Sequence, residues 1–283
     1  MRVRTGMWMA AVMAVAVAGA GLIPQDRTLR FRPTANTEYA YNSVSESSMA
    51  ISGMMEQSSD TKVTSTRVLK IKDTVDGWTK FEWHTRNVKT ESTGEAMPGM
   101  DADSTGKVME QVVVAGEVNE LATVRNIRVV GGDTSDPMTM MAIGGMGQTM
   151  ADLGISGTKL PQGPLAVGQT WKSELNIGKV LNEQSGGMVT SDKSLPVEYK
   201  VQGFEMIDGV EHAKITSTTV GSVPISSPMA GEGTLESNTV GTILVNMTNG
   251  IATKSSLEGT QTIDLGMVVI TLKLKSVEEL KKN

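Results

Sequence analysis

The chain has 283 residues, a formal net charge of −5, 20% charged residues and no cysteine. The absence of cysteine excludes disulfide bonds and thiol chemistry, so the fold depends on a hydrophobic core. A mildly acidic chain with dispersed Lys and Arg residues lacks the basic stripe that nucleic-acid binding requires, and we expect no nucleic acid among its partners.

The first twenty residues have the pattern of a secretory signal peptide. Arg2 and Arg4 precede an apolar run from Met7 to Gly21, and Ala18-Gly19-Ala20 has the small residues of a cleavage site. The run is shorter than the ~20 residues that cross a bilayer. We therefore predict a signal peptide over residues 1–20, export to the periplasm or the extracellular space, and no stable membrane span after cleavage. An uncleaved anchor is the alternative, because two further apolar residues extend the run.

Alternation of apolar and polar residues with a period of two recurs along the rest of the chain and predicts strands with one buried face. Asp76-Gly77 lies between two such runs, Val68–Val75 and Trp78–His84. An Asp-Gly pair between alternating runs is the strongest short-range signal of a β-hairpin. Asp208-Gly209 predicts a second hairpin about 130 residues later. The recurrence indicates either a duplication of two β halves or a coincidence between ordinary hairpins.

The segment from Pro137 to Leu153 is rich in methionine and predicts the one sizeable helix. Asp136 is suited to cap it, and Gly154 predicts its end. Three glycines inside the segment each cost ~1 kcal/mol against Ala in a helix, so two short helical pieces or a loop are the alternatives.

Methionine is a flexible side chain that suits an adaptable apolar pocket. The candidate ligand-binding residues are therefore Met138, Met140, Met141, Ile143, Met146, Met150 and Leu153. Thioether ligation of Cu(I) is the alternative, but the 20 methionines are spread along the chain and favour a compositional origin. We predict no metal site and no cofactor.

The run LPQGPLAVGQTW follows, from Leu160 to Trp171. It resembles the linker lPxxPhxxG(D/Q)(S/T)W of an uncharacterised family of secreted bacterial β proteins, in which it joins two β halves. The resemblance implies a topology and an exported location, and it carries no activity. The residues themselves suit a connection, because Pro161 and Pro164 keep it extended, Gly168 permits a turn with positive φ and Trp171 can anchor the next strand. An exposed Trp171 that stacks on carbohydrate is the alternative.

The chain has only two histidines, His84 and His212, each in the second strand of its predicted hairpin. A metal site would need both of them together with carboxylates, whereas a single strand histidine is commonly half-buried or exposed. The motifs of serine hydrolases, zinc proteases, phosphate-binding loops and dinucleotide-binding folds do not occur. We therefore expect that the protein is not an enzyme.

These patterns predict a mainly β protein, with a single β domain over residues 21–283. Two similar antiparallel halves, about 28–133 and 165–276, are joined by a helical or loop linker over 134–164. We expect one large curved sheet, an open or half barrel, which resembles in architecture the periplasmic carriers of lipoproteins or lipids.

The expected function is that of an exported, non-enzymatic envelope protein that binds an apolar ligand or a lipid chain in a concave sheet. In this hypothesis the segment 137–153 is the lid or plug. The alternative is a structural or protein-interaction module of the envelope, whose interior is filled by its own side chains and whose partner is another envelope protein.

Overall fold

The computed structural model describes residues 27–53, 56–94, 102–132, 147–184, 187 and 189–281. The predicted signal peptide lies outside this part of the chain. The strands are β1 (Glu38–Gly53), β2 (Gln57–Val75), β3 (Trp78–Gly94), β4 (Val113–Asn119), β5 (Val124–Gly131), β6 (Thr170–Leu175), β7 (Leu195–Ile207), β8 (Val210–Ser227), β9 (Gly231–Asn246), β10 (Ala252–Asp264) and β11 (Val268–Leu280). The helices within the described residues are α1 (Ala102–Gln111), α2 (147–153) and α3 (Ile177–Gln184).

The eleven strands form one antiparallel sheet with the order β5-β4-β3-β2-β1-β11-β10-β9-β8-β7-β6. The first and last strands are neighbours in its middle, where Ser45 lies opposite Ser276. The edges are β5 and β6, and the linker between these two strands connects one edge to the other. The prediction of one large, mainly β sheet with little helix is confirmed.

Both predicted Asp-Gly hairpins are present. Asp76 and Gly77 have φ of 50° and 77° and join β2 to β3, and Asp208 and Gly209 have φ of 49° and 79° and join β7 to β8. Positive φ at both central residues gives a turn whose twist matches that of the flanking strands, and Asp and Gly tolerate this conformation.

Strands that are far apart in the sheet line the same cavity, which shows that the sheet is curved. Trp83 of β3 and Ser237 of β9 both line this cavity, although four strands separate β3 from β9. We call the face that carries these residues the inner face. The main core lies on this face and includes fully buried side chains from both halves of the chain, among them Leu69, Phe81 and Tyr199.

A second, smaller core lies under α3. Ile177 and Val180 of this helix pack against Leu195, Val223 and Leu235 of the sheet. This helix and α1, which lies against β3, were not predicted. The structure tests only the end of the helix predicted over Pro137–Leu153, because residues 133–146 lie outside the described part. The described helix over 147–153 ends where expected, at Gly154, which has a φ of 89°.

Candidate functional site

One end of the inner face is closed by two segments outside the strands, residues 27–32 and 154–165, which together we call the base. Segment 27–32 crosses between two turns: the Phe31 amide donates to the Glu120 carbonyl (2.8 Å) and the Arg32 amide donates to the Asn249 carbonyl (2.8 Å). Leu29 and Phe31 are buried in the main core. The segment therefore ties the β4–β5 turn of the first half to the β9–β10 turn of the second.

Segment 154–165 runs beside the first segment and contacts both halves of the sheet. The Leu160 amide donates to the Leu121 carbonyl (2.8 Å), and the Leu165 amide donates to the Arg27 carbonyl (3.0 Å). The Tyr199 hydroxyl donates to the Gly157 carbonyl (2.9 Å). Because Leu160 and Leu165 are buried in the main core, this segment packs against the sheet as a structural part of the closed end.

Gly168 and Trp171 of the Leu160–Trp171 run act as the structural interpretation predicts. Gly168 has a φ of 84° and forms a turn before β6. The Trp171 ring stacks on Tyr199 at 5.3 Å between centroids, and its Nε1 donates to the Lys159 carbonyl (2.8 Å). Trp171 is half-buried against the main core, so it anchors β6 instead of forming an exposed platform.

Helix α2 is held above the inner face next to the base. Met150 is buried in the main core and Leu153 packs against it. The Asp152 carboxylate accepts a hydrogen bond from the Gln148 side-chain amide within α2 (2.8 Å). It also accepts one from the Asn176 backbone amide (2.8 Å), which fixes α2 to the start of α3. Of the predicted ligand-binding residues, Met150 and Leu153 line the cavity. The others, Met138, Met140, Met141, Ile143 and Met146, lie outside the described residues.

The cavity has a volume of about 540 Å³ and lies on the inner face beside α2. Its apolar lining comes from α2 and the residues after it, from β7 and from the central strands. These side chains are Met150, Leu153, Ile155, Leu175, Leu195, Val197, Ile243, Leu257 and Leu274. Polar side chains from several strands complete the lining. A concave site that combines apolar side chains with placed polar groups is the usual form of a site for a small molecule.

One wall of the cavity carries a charged pair that is packed on aromatic rings. The Arg67 guanidinium donates to the Glu278 carboxylate and lies 4.8 Å from the Trp83 ring centroid. Tyr41 stacks on Trp83 at 6.0 Å between centroids. Burial, assisted by the Glu278 carboxylate, raises the pKa of the Tyr41 hydroxyl above its usual value. Tyr41 is therefore neutral, and the charge of Arg67 is compensated within the wall.

The opposite wall carries four hydroxyl groups that the sequence analysis did not identify. Ser217 and Thr219 of β8 and Ser237 and Thr239 of β9 all line the cavity. We call these four residues the hydroxyl patch. They occupy inner positions between apolar residues, and this alternation was the signal that was available in the sequence. Serine and threonine in a strand are usually assigned to the solvent face, so the pattern gave no indication of a site.

The two histidines do not come together. His84 lies on β3 and His212 on β8, and five strands separate them in the sheet. The His212 Nδ1 lies 2.9 Å from the Val210 carbonyl oxygen. Within the described ranges, no group of three His, Asp or Glu side chains is placed to hold a metal ion. The alternative of a shared histidine site therefore has no geometric support.

No family model and no curated protein matches this chain. Among solved structures, one of lipid–protein interactions in lipovitellin is similar, with a TM-score of 0.50 and 11% identity over 88% of this chain and 25% of that one. The chain thus spans about a quarter of the length of lipovitellin. At this identity the similarity shows the fold alone.

Two bacterial structures are similar at lower scores. An outer membrane channel from Pseudomonas putida F1 has a TM-score of 0.34 and 9% identity, over 89% of this chain and 97% of that one. A LolA superfamily protein from Nitrosomonas europaea has a TM-score of 0.16 and 9% identity, over 89% and 90% of the two chains. Similarities at these scores say nothing about function.

In the part of this chain that the structure describes, no helix has the length and apolar character needed to cross a membrane.

Proposed function

We propose that this protein binds an apolar ligand or a lipid chain in the cavity on the inner face of its sheet. The observation that carries the proposal is the cavity itself, about 540 Å³, within the range of roughly 300–1,000 Å³ that is usual for ligand sites. A structural or protein-interaction module with a filled interior would have side chains in this volume. The cavity therefore favours ligand binding over that alternative.

Two further observations support a lipid as the ligand. Met150 and Leu153 place a helix with adaptable apolar side chains at the edge of the cavity. The sheet also has the fold of part of lipovitellin, a protein whose structure records lipid–protein interactions. In this proposal α2 acts as a lid or plug of the site.

The proposed place of action is the periplasm or the extracellular space, and the proposed role is binding without a chemical step. Export is supported by the basic segment, the apolar run and the cleavage pattern at the start of the sequence. Cell fractionation and the intact mass of the purified chain test it. We expect a mature chain that begins near Gly21, and recovery of the full-length chain in the cytoplasm would contradict the proposal.

Native mass spectrometry of the protein, purified gently from the cell envelope, tests the binding proposal. We expect a bound mass that organic extraction removes, and saturable uptake of added lipid by the extracted protein. A bare polypeptide mass together with no saturable uptake would exclude the proposal and direct attention to a protein partner.

A pair of variants locates the ligand. Leu274 lines the cavity, whereas the adjacent Lys273 is exposed on the opposite face of β11. Leu274→Trp is expected to fill part of the cavity and to weaken lipid binding at least about tenfold. Lys273→Trp adds the same side chain outside the cavity and is expected to leave the affinity unchanged. Equal affinities of the two variants would place the ligand elsewhere.

A further inference from the structure

The four residues of the hydroxyl patch form one contiguous surface. Thr219 lies directly opposite Thr239 in the β8–β9 pair, Ser217 lies opposite Gly241, and Gly221 lies opposite Ser237. Directly opposed residues have Cβ atoms about 4.5–5.5 Å apart. A single small polar group can therefore contact hydroxyls from both strands.

Two polar atoms of the cavity lining are buried without a hydrogen-bond partner among the described residues. They are the Ser237 Oγ and the Trp83 Nε1, on side chains that are 4% and 5% exposed. A buried polar group without a partner is unfavourable, and native proteins rarely retain one without a reason. Of these two atoms, the Ser237 Oγ belongs to the hydroxyl patch, and rotation of this side chain about χ1 would turn the hydroxyl towards a polar group of a ligand in the cavity.

A side chain at Gly241, next to the patch, would collide with Ser217. A Cβ atom at position 241 would lie 2.4 Å from the Ser217 Oγ. Because Gly241 has no side chain, the Ser217 hydroxyl keeps its place and the cavity extends over the patch. The neighbouring inner positions along β8 and β9 are apolar, with Ile215, Ile243 and Leu235 buried. Along β8 and β9 the patch is therefore a polar stretch between apolar residues, and Ser255 and Ser256 of β10 continue the polar lining.

The charged groups of the lining are compensated by protein partners. Arg67 is paired with Glu278, and Lys254 lies 3.7 Å from the Glu279 carboxylate. An anionic head group would have to displace one of these partners. A neutral head group that donates and accepts hydrogen bonds meets the hydroxyl patch without this cost.

We propose that the ligand is an uncharged amphiphile, such as a lipid ester or alcohol, whose polar group binds the hydroxyl patch. Its apolar chain extends over the side chains near α2, including Met150 and Leu153. This inference rests on the proposed function and adds the chemical class of the ligand to it.

The test uses the delipidated mature protein and three probes at pH 8. 1-Monooleoylglycerol has an uncharged head group, oleate has the same chain with a carboxylate, and N-phenyl-1-naphthylamine is an apolar fluorophore. We expect monooleoylglycerol to bind at least about tenfold more tightly than oleate. Equal or tighter binding of oleate would overturn the inference while leaving lipid binding intact, whereas no binding of any probe would overturn the proposed function as well.

Variants identify the site of the head group. The triple variant Thr219→Val, Ser237→Ala and Thr239→Val removes three hydroxyls and is expected to lose about tenfold or more in affinity for monooleoylglycerol. Its affinity for the apolar fluorophore should change less than about twofold, which also shows that the variant is folded. The single variant Ser237→Ala is expected to lose about threefold.

The matched control is the double variant Thr218→Val and Thr242→Val. These two threonines lie on the same strands but on the outer face, by alternation with the patch residues. The control is expected to bind monooleoylglycerol as the wild type does. If the patch variants bind it as tightly as the control, the head group does not bind the hydroxyl patch and the inference is wrong.

Discussion

The strands β8 and β9 have different roles beside the base and at the hydroxyl patch. Near the base, the inner positions of β8 and β9 are apolar and filled, with Ile215 and Val245 buried in the main core. A few residues further along, the same inner positions carry Thr219 and Thr239, which line the cavity. The change from packing to binding occurs within single strands.

The difference shows how one sheet can keep a cavity and remain stable. The base combines apolar burial with backbone hydrogen bonds between distant parts of the chain, such as Phe31 to Glu120 and Leu165 to Arg27. Burial of apolar side chains is the main source of folding free energy. The residues of the patch are small and polar and contribute little of it, so they are available for a ligand.

The largest predicted effect is in the core beside the base. Tyr199 is fully buried, stacks on Trp171 and donates to the Gly157 carbonyl. Tyr199→Ala is expected to lower the free energy of unfolding by about 3–5 kcal/mol, because it leaves a large cavity. Tyr199→Phe removes only the hydroxyl and is expected to cost about 1 kcal/mol. Urea unfolding measures both.

If Tyr199→Ala lowered the free energy of unfolding only slightly, the end of the sheet beside the base would not be the more stable region. A loss for Tyr199→Phe as large as that for Tyr199→Ala would assign the stability to the hydrogen bond instead of to apolar packing.

The second largest effect is expected at Gly250, which contacts segment 27–32 of the base. Gly250 has a φ of 72°, and a Cβ atom there would lie 2.3 Å from the Arg30 carbonyl oxygen. Gly209 has a φ of 79° with no atom within 4 Å of the added Cβ. Gly209→Ala is expected to cost about 1–2 kcal/mol from backbone strain alone. Gly250→Ala should cost roughly 1–3 kcal/mol more, because the segment must move.

Urea unfolding compares the two glycine variants, and limited proteolysis near Arg30 reports whether the segment is released. Equal losses of stability for the two variants would show that the contact between Gly250 and the segment does not matter.

The sequence predicts the local turns and the single large sheet, but not which strands pair over long distances in the chain. The Asp76-Gly77 and Asp208-Gly209 turns depend on two adjacent residues, so their prediction is confirmed. The pairing of β1 with β11 joins residues that are more than two hundred positions apart in the chain, and nothing local encodes it. Helix α1 contains Gly106, a poor helix former, and is held by packing on β3, where Glu110 accepts from the Val88 amide (2.7 Å).

The candidate site shows the same division. Methionine composition directs attention to Met150 and Leu153, which line the cavity. The serines and threonines of the patch were not identified, because their type is common on solvent-exposed strand faces. Their role depends on the curvature of the sheet, which brings β3 and β9 to one cavity. A curved sheet was expected, but which strands it brings to one cavity depends on all eleven strands and has no signature in any one of them.

A smaller effect is expected at the patch itself. Ser237 has a buried hydroxyl without a partner, and removal of such a group relieves its desolvation cost. In the delipidated protein, Ser237→Ala is therefore expected to leave the free energy of unfolding unchanged or to raise it by up to about 1 kcal/mol. Added monooleoylglycerol should stabilise the wild type more than the variant. A lower free energy of unfolding in the delipidated variant would show that Ser237 stabilises the fold, as the residues beside the base do.

The smallest effect is a pH dependence on the outer face, next to the cavity wall. His84 follows Trp83 on β3 and faces away from the cavity by alternation. Its side chain is half-buried and its Nε2 has no partner. Burial, assisted by the Arg86 charge, lowers the pKa of the His84 imidazole below its ordinary value. The folded protein thus favours the neutral ring.

As the pH falls, the unfolded chain binds a proton at His84 near pH 6.5, whereas the folded chain binds it only at a lower pH. Stability from this residue is therefore complete above pH 6.5 and is lost as the pH falls towards the lowered pKa of the folded state. His84→Gln removes this dependence, so the stability of the wild type relative to the variant should decline between pH 7.5 and pH 5.5 in urea unfolding. Because His84 lies outside the cavity, added lipid should leave this decline unchanged, whereas it should alter the fluorescence of Trp83. Parallel pH profiles of the two proteins would contradict the burial of the neutral ring.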